Sequence, residues 1–168
     1  MNDGGPIRLS EFLRRDLIRL PLDAADTEEA IAELVRTLAL GGEIPSSRID
    51  DITARAILNE RRHPTGIKNG LALPNCVAGA LVRTSAALGI SREGVDFRCL
   101  DGESAHAILL FVCPESSYKK VLLGLEAVAT LFEETRLSED IVTQNDPAEV
   151  LRLIEDAETD ELLSEERY

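Results

Sequence analysis

The chain has 168 residues, 44% of them hydrophobic, and a formal net charge of −13. That length suits one domain, which buries roughly 70% of its unfolded surface and needs no staples to hold a core, while a surface this acidic repels phosphate backbones and argues against nucleic-acid binding. The three cysteines have neither paired spacing nor a CxxC motif, which fits reduced thiols in a cytosolic protein better than disulfides or zinc, and no apolar run resembles a signal peptide or reaches the roughly 18 residues of a membrane span.

In chain order, Asp26 is placed to cap a helix, with Glu29 as the partner of a capping box. Ile31, Leu34, Val35 and Leu38 follow the helical repeat, and Gly41-Gly42 ends it. A second helix is expected from Ser46 or Ser47, with Ile49, Ile52 and Ala56 as its buried stripe. It ends near Arg62, because Pro64 disfavours helical geometry at His63. Gly66 to Gly70 reads as a turn, and Leu71 to Leu73 as a short strand stopped by Pro74. Leu81 to Ile90 and Ala107 to Val112 read as two more strands, the second apolar enough to be central. Between them, Gly94 to Gly102 reads as a turn-rich link.

A long helix is expected over Ser117 to Glu133, with Val121, Leu122, Leu125, Val128, Ala129 and Phe132 on its buried face. A final helix is marked by Asp146 as its cap, Pro147 at its first position, and Val150, Leu151 and Ile154 on one face. Part of the acidic excess sits in Glu155 to Glu166. It reads as a frayed, solvated end, with docking to a basic partner as the minor alternative. The expected organisation is therefore one domain over 1–156 and an acidic tail over 157–168. Helices packed on a mixed sheet place the chain in the α/β or α+β class, and periodicity alone says nothing of activity.

The stretch Pro64-Thr65-Gly66-Ile67-Lys68-Asn69-Gly70-Leu71-Ala72-Leu73-Pro74-Asn75 carries more. It resembles the S-T-G-I-G-N-G-[VI]-A-[IL]-P-H signature of the type 2 enzyme IIA proteins of the bacterial sugar phosphotransferase system. Lys68 stands where the signature has a glycine, and Asn75 where it has the phosphorylated histidine. Gly94-Val95-Asp96-Phe97 with Leu100-Asp101-Gly102 resembles the family's G-V-D-F-x-x-L-D-G segment, and Glu60-Arg61 an E-R pair closing its second helix. The resemblance spans about residues 8 to 155.

The resemblance implies a mixed sheet sandwiched by helices, no cofactor, and protein partners. Those partners are an HPr-like phosphoryl carrier, a IIB domain, or the target of a regulatory member of the nitrogen branch. It also implies a site around Asn75 lined by Arg61, Thr65, Gly66, Lys68, Asn69 and Tyr118. Arg61 matches the arginine facing the phosphorylated ring. The family's second histidine falls on Tyr118 or Val121, neither of which is a histidine.

Phosphoryl transfer needs an in-line nucleophile, which a neutral imidazole supplies through its in-plane lone pair. An asparagine amide nitrogen has its lone pair delocalised into the carbonyl, so it hydrogen-bonds a phosphate without carrying one. As a loop residue after a proline, Asn75 alone would need no role; inside the signature it reads as a pseudo-active site. The expectation is a regulatory, protein-binding IIA-like domain rather than a phosphotransferase. The rivals are a phosphoryl carrier using His63, His106 or Cys76, and a sensor holding an anion beside Lys68 and Asn75. The bland readings are a solvated loop residue for His63, a strand-edge residue for His106, a thiol turned from the site for Cys76, and a solvated helix turn for Lys119 and Lys120.

Overall fold

The computed structural model describes residues 7–165. The segment Ile7 to Leu17 makes two short 3₁₀ turns and leads into strand β1, Ile18–Arg19. Helix α1, Thr27–Leu40, begins as expected: the Asp26 carboxylate accepts from the Glu29 amide at 2.9 Å. The Glu29 side chain returns to the Ala25 amide at 2.8 Å, one residue before the cap. Helix α2, Ile49–Arg62, follows a 3₁₀ turn over Ser46–Arg48 and buries Ile52 and Ala56 on one face.

Strands β2, Leu71–Ala72, and β3, Asn75–Val77, flank Pro74. Strand β4 is Ser85–Val95 and β5 is Ala105–Cys113. Helices α3, Tyr118–Glu134, α4, Leu137–Val142, and α5, Pro147–Glu165, complete the chain. The sheet runs β1-β4-β5-β2, with β3 also pairing β5. Only β4 and β5 are antiparallel; every other pair is parallel, so the sheet is mixed.

β5 lies at the centre with both faces covered, and its residues Ala107–Cys113 are all buried. Helix α1 packs on β4 with Leu34 against Gly89, where a Cβ would sit 2.9 Å from Leu22 Cδ1 and 3.1 Å from Leu34 Cδ2. A larger residue at 89 would lift α1 from the sheet.

Several expectations are corrected. The strand read as Leu81 to Ile90 starts at Ser85, because Ala80 turns the chain at φ +62° and Val82 is 98% exposed. It continues through polar Ser91-Arg92-Glu93 to Val95, since an irregularity there lets Val95 pair with Ala105. In α3, Leu122 is 41% exposed, and Gly124 and Leu131 are buried in its place. Ile7 packs directly on Gly124, so the N-terminal segment rotates the buried face away from the pure repeat.

The tail is corrected too: α5 runs through Glu165 without a break at the expected 156/157 boundary. Glu158 is 6% exposed, and its carboxylate accepts from the amide of Leu9 and from the hydroxyl of Ser10 at 2.5 Å. Truncating this acceptor leaves buried donors unpaired, at a cost of about 1–3 kcal/mol. Glu158→Ala is therefore expected to lower the urea midpoint of unfolding without changing its slope, and an unchanged midpoint would show that the clasp contributes nothing.

Candidate functional site

Residue 75 is placed by its neighbours in the sheet. β2 and β3 lie on one edge of β5, Leu71 and Ala72 beside Ala107 and Ile108, and Asn75 to Val77 beside Phe111 to Cys113. Pro74 has no amide hydrogen and interrupts the ladder, but its carbonyl still accepts from the Phe111 amide at 3.0 Å. The loop before it is held by Glu60, a buried carboxylate that takes the Thr65 amide at 2.9 Å and the Thr65 hydroxyl at 2.7 Å. Burial drives the Glu60 pKa upward against these hydrogen bonds. A Cβ on Gly66 would lie 2.5 Å from the Phe97 carbonyl oxygen, so the loop closes on the link after β4 only with glycine there.

Asn75 opens on a cleft of about 350 Å³. One face of α2 forms a wall with Arg55, Leu58, Asn59 and Arg62, spaced i, i+3, i+4 and i+7, and His63 continues it. The floor is Asn75, Cys76 and Val77, and Tyr118 at the start of α3 closes the far side. The amides of the floor are tied inward. Asn75 is 7% exposed and its Nδ2 donates to the Leu73 carbonyl at 3.1 Å. Asn59 Nδ2 donates to the Asn75 carbonyl at 2.8 Å and reaches Asn75 Oδ1 at 3.4 Å.

Of the residues expected around Asn75, the cleft includes Tyr118. Arg61 projects elsewhere from α2 and pairs with Glu28. Thr65 and Gly66 sit beneath, as loop supports. Lys68 is exposed and does not line the cleft. Asn69, at φ +58°, donates its amide to Asp101 at 3.3 Å and borders a separate 730 Å³ cavity with His106. Sequence reasoning missed Arg55, Leu58, Asn59 and Arg62. The available signal was Leu58, an apolar residue outside the Ile52–Ala56 stripe and 46% exposed. His63, expected as a solvated loop residue, stands at the rim.

His63 is the one imidazole lining the cleft, and among the described residues no side chain hydrogen-bonds its ring. His106 Nδ1 is instead engaged with the Ser91 carbonyl at 2.8 Å. The Cys76 sulfur points to the Ile52 carbonyl at 3.9 Å, and burial pushes its thiol up to about 12. The Cys113 thiol is pushed up to about 11 by the same cause. Neither supplies a thiolate nucleophile near neutral pH.

Comparison with known proteins places this geometry. Residues 11–157 match the model of the family described as "Phosphoenolpyruvate-dependent sugar phosphotransferase system, EIIA 2". The chain is 26% identical over 149 residues to the fructose-specific EIIABC component of Bacillus subtilis (strain 168), covering 88% of this chain but only 23% of that protein's length. It is 27% identical over 130 residues to the nitrogen regulatory protein of Pseudomonas aeruginosa, covering 76% of this chain and 81% of that one. Among solved structures, nitrogen regulatory protein IIA-Ntr from Neisseria meningitidis superposes with a TM-score of 0.76 at 21% identity, covering 86% of this chain and 97% of that one. IIA mannitol from Escherichia coli does so at 0.69 and 21%, covering 84% and 98%. At these identities the structural matches speak to the fold.

The thiol environment is directly testable. At pH 8 the native protein is expected to react with a disulfide reagent at Cys76 and Cys113 far more slowly than the unfolded chain, and native labelling of Cys76 at the unfolded rate would contradict the burial described.

Proposed function

Because the chain belongs to the EIIA 2 family of the phosphoenolpyruvate-dependent sugar phosphotransferase system, we propose that it is a IIA-like docking module that takes up no phosphoryl group at residue 75. The observation that carries this reading is Asn75 itself, at the position the resemblance assigns to the acceptor histidine. Its amide nitrogen has no in-plane lone pair, and one of its hydrogens is committed to the Leu73 carbonyl. An attack on phosphorus from this atom would break amide resonance and that hydrogen bond together.

The scaffold around it remains suited to a partner. Leu58 is 46% exposed, Tyr118 36% and Leu122 41%, so apolar groups surround or adjoin the cleft. EIIA domains interact with IIB domains, and the E. coli mannitol IIA, whose fold this chain shares at a TM-score of 0.66 and 19% identity, was solved in complex with its phosphorylated IIB. A IIB domain, an HPr-like carrier or a regulatory target is the partner class proposed here. With residue 75 neutral in every condition, binding is constitutive, where a histidine at that position would switch it.

A second reading has one observation in its favour: the His63 ring stands at the rim of the same cleft. A carrier protein docked there would meet an imidazole, although one with no orienting partner. The two readings separate in one experiment. The purified chain is incubated with phosphoenolpyruvate, enzyme I and the carrier, and its intact mass is followed under conditions that preserve phosphohistidine. No adduct is expected. A stoichiometric adduct on residue 75 overturns the proposal, and an adduct lost in His63→Ala establishes the second reading instead.

A further inference from the structure

The chain carries 31 Asp and Glu against 18 Lys and Arg, yet no carboxylate lines the Asn75 cleft. Its lining includes Arg55, Arg62 and His63. Arg55 commits only its Nε to Asp51, at 2.9 Å, leaving its terminal nitrogens for another acceptor. Arg62 and His63 make no side-chain hydrogen bond or ion pair among the described residues. Two guanidinium groups, one of them unpaired among the described residues, and an imidazole thus converge on one small concavity of a strongly acidic protein.

We propose that this cleft is a non-covalent receptor for a phosphate-monoester dianion. Arg55 and Arg62 lie two turns apart on one helix face, about 10 Å along the axis, so two flexible guanidinium arms reach the same anion from either side. Their forks match phosphate oxygens bidentately, and two arginines balance a dianion. The floor carries no charge to compete with an anion for the arginines, and the Asn59 and Asn75 amide nitrogens are engaged within the protein. The Tyr118 hydroxyl, opposite α2, is a further donor. A volume of about 350 Å³ holds a phosphate with a small organic group, which Leu58 and Val77 flank with apolar surface.

The inference rests on the proposed function in one respect: residue 75 accepts no phosphoryl group, so an anion that enters stays intact. Two sources share this chemistry, a free phosphorylated metabolite and a phosphorylated side chain presented by a protein.

The test uses the full chain, ¹⁵N-labelled, titrated with glycerol 3-phosphate in one arm and with a short phosphoserine peptide in the other, the unphosphorylated peptide serving as control. Saturable amide shifts are expected at Arg62, His63, Asn75 and Tyr118. Arg55→Gln and Arg62→Gln should each weaken binding about tenfold, the loss expected for one charge-assisted contact. Arg152→Gln, on α5 and paired there with Glu149, should leave it unchanged. Tighter binding of glycerol 3-phosphate identifies a metabolite, and tighter binding of the phosphopeptide identifies a protein-borne group. Flat titrations in both arms, or affinity undiminished in Arg55→Gln and Arg62→Gln, overturn the receptor. Intact mass recorded on the same samples keeps the two ideas apart: a phosphoryl adduct at residue 75 defeats the docking module, whereas a flat titration with unmodified mass defeats the receptor alone.

Discussion

The way one proline divides an edge strand governs the rest of the site. Pro74 offers a carbonyl to Phe111 but no hydrogen to β5, so the strand lets go and resumes at Asn75. Because β5 is buried over Ala107–Cys113, the resumed segment has no freedom to slide: a one-residue slip would exchange the faces on which Asn75 and Cys76 lie. Residue 75 therefore has one address, at the end of a central ladder and under the face of α2. That rigidity fixes the Asn75 amide at the floor of the cleft, where Asn59 and the Leu73 carbonyl hold it.

The supports behind that address are themselves polar and buried. Glu60 closes α2 and reaches forward to the Thr65 amide and hydroxyl, tying helix to loop with two hydrogen bonds. Its carboxylate is shifted toward protonation by burial, so the loop depends on donors that favour the charged form. Asn59, one residue earlier, turns to the other side of the helix and grips the Asn75 backbone. Two adjacent residues of α2 thus hold the two ends of the signature loop, and both bond to it without using the terminal amide nitrogen of Asn75.

Much of this was legible beforehand. The caps at Asp26 and Asp146, the glycine stop after α1 and the apolar run of β5 each have a local cause, and each appears where that cause puts it. The buried face of α3 and the course of α5 were not legible, since both depend on the N-terminal segment. Ile7 and Leu9 meet Gly124 and Glu158 across more than a hundred residues, and no periodicity encodes that. The cleft was half legible for a similar reason. The signature points to Asn75, but the wall opposite comes from α2, whose Arg55, Leu58 and Arg62 look in one dimension like an ordinary solvated face.

Electrostatics gives that wall its meaning. On a chain of net charge −13, several arginines are neutralised by neighbouring carboxylates, as Arg14 is by Asp16 and Glu43, and Arg152 by Glu149 and Asp156. Arg62 and His63 have no such neighbour among the described residues, and Arg55 is paired with Asp51. Leaving cations unpaired on an acidic protein forgoes the small stabilisation that surface pairs give, about 0.2–1 kcal/mol each. What remains is positive charge concentrated at the C-terminal end of α2, on a chain that is acidic as a whole. The amide beneath it is neutral and held inward by Leu73 and Asn59, so it neither adds to that charge nor offsets it.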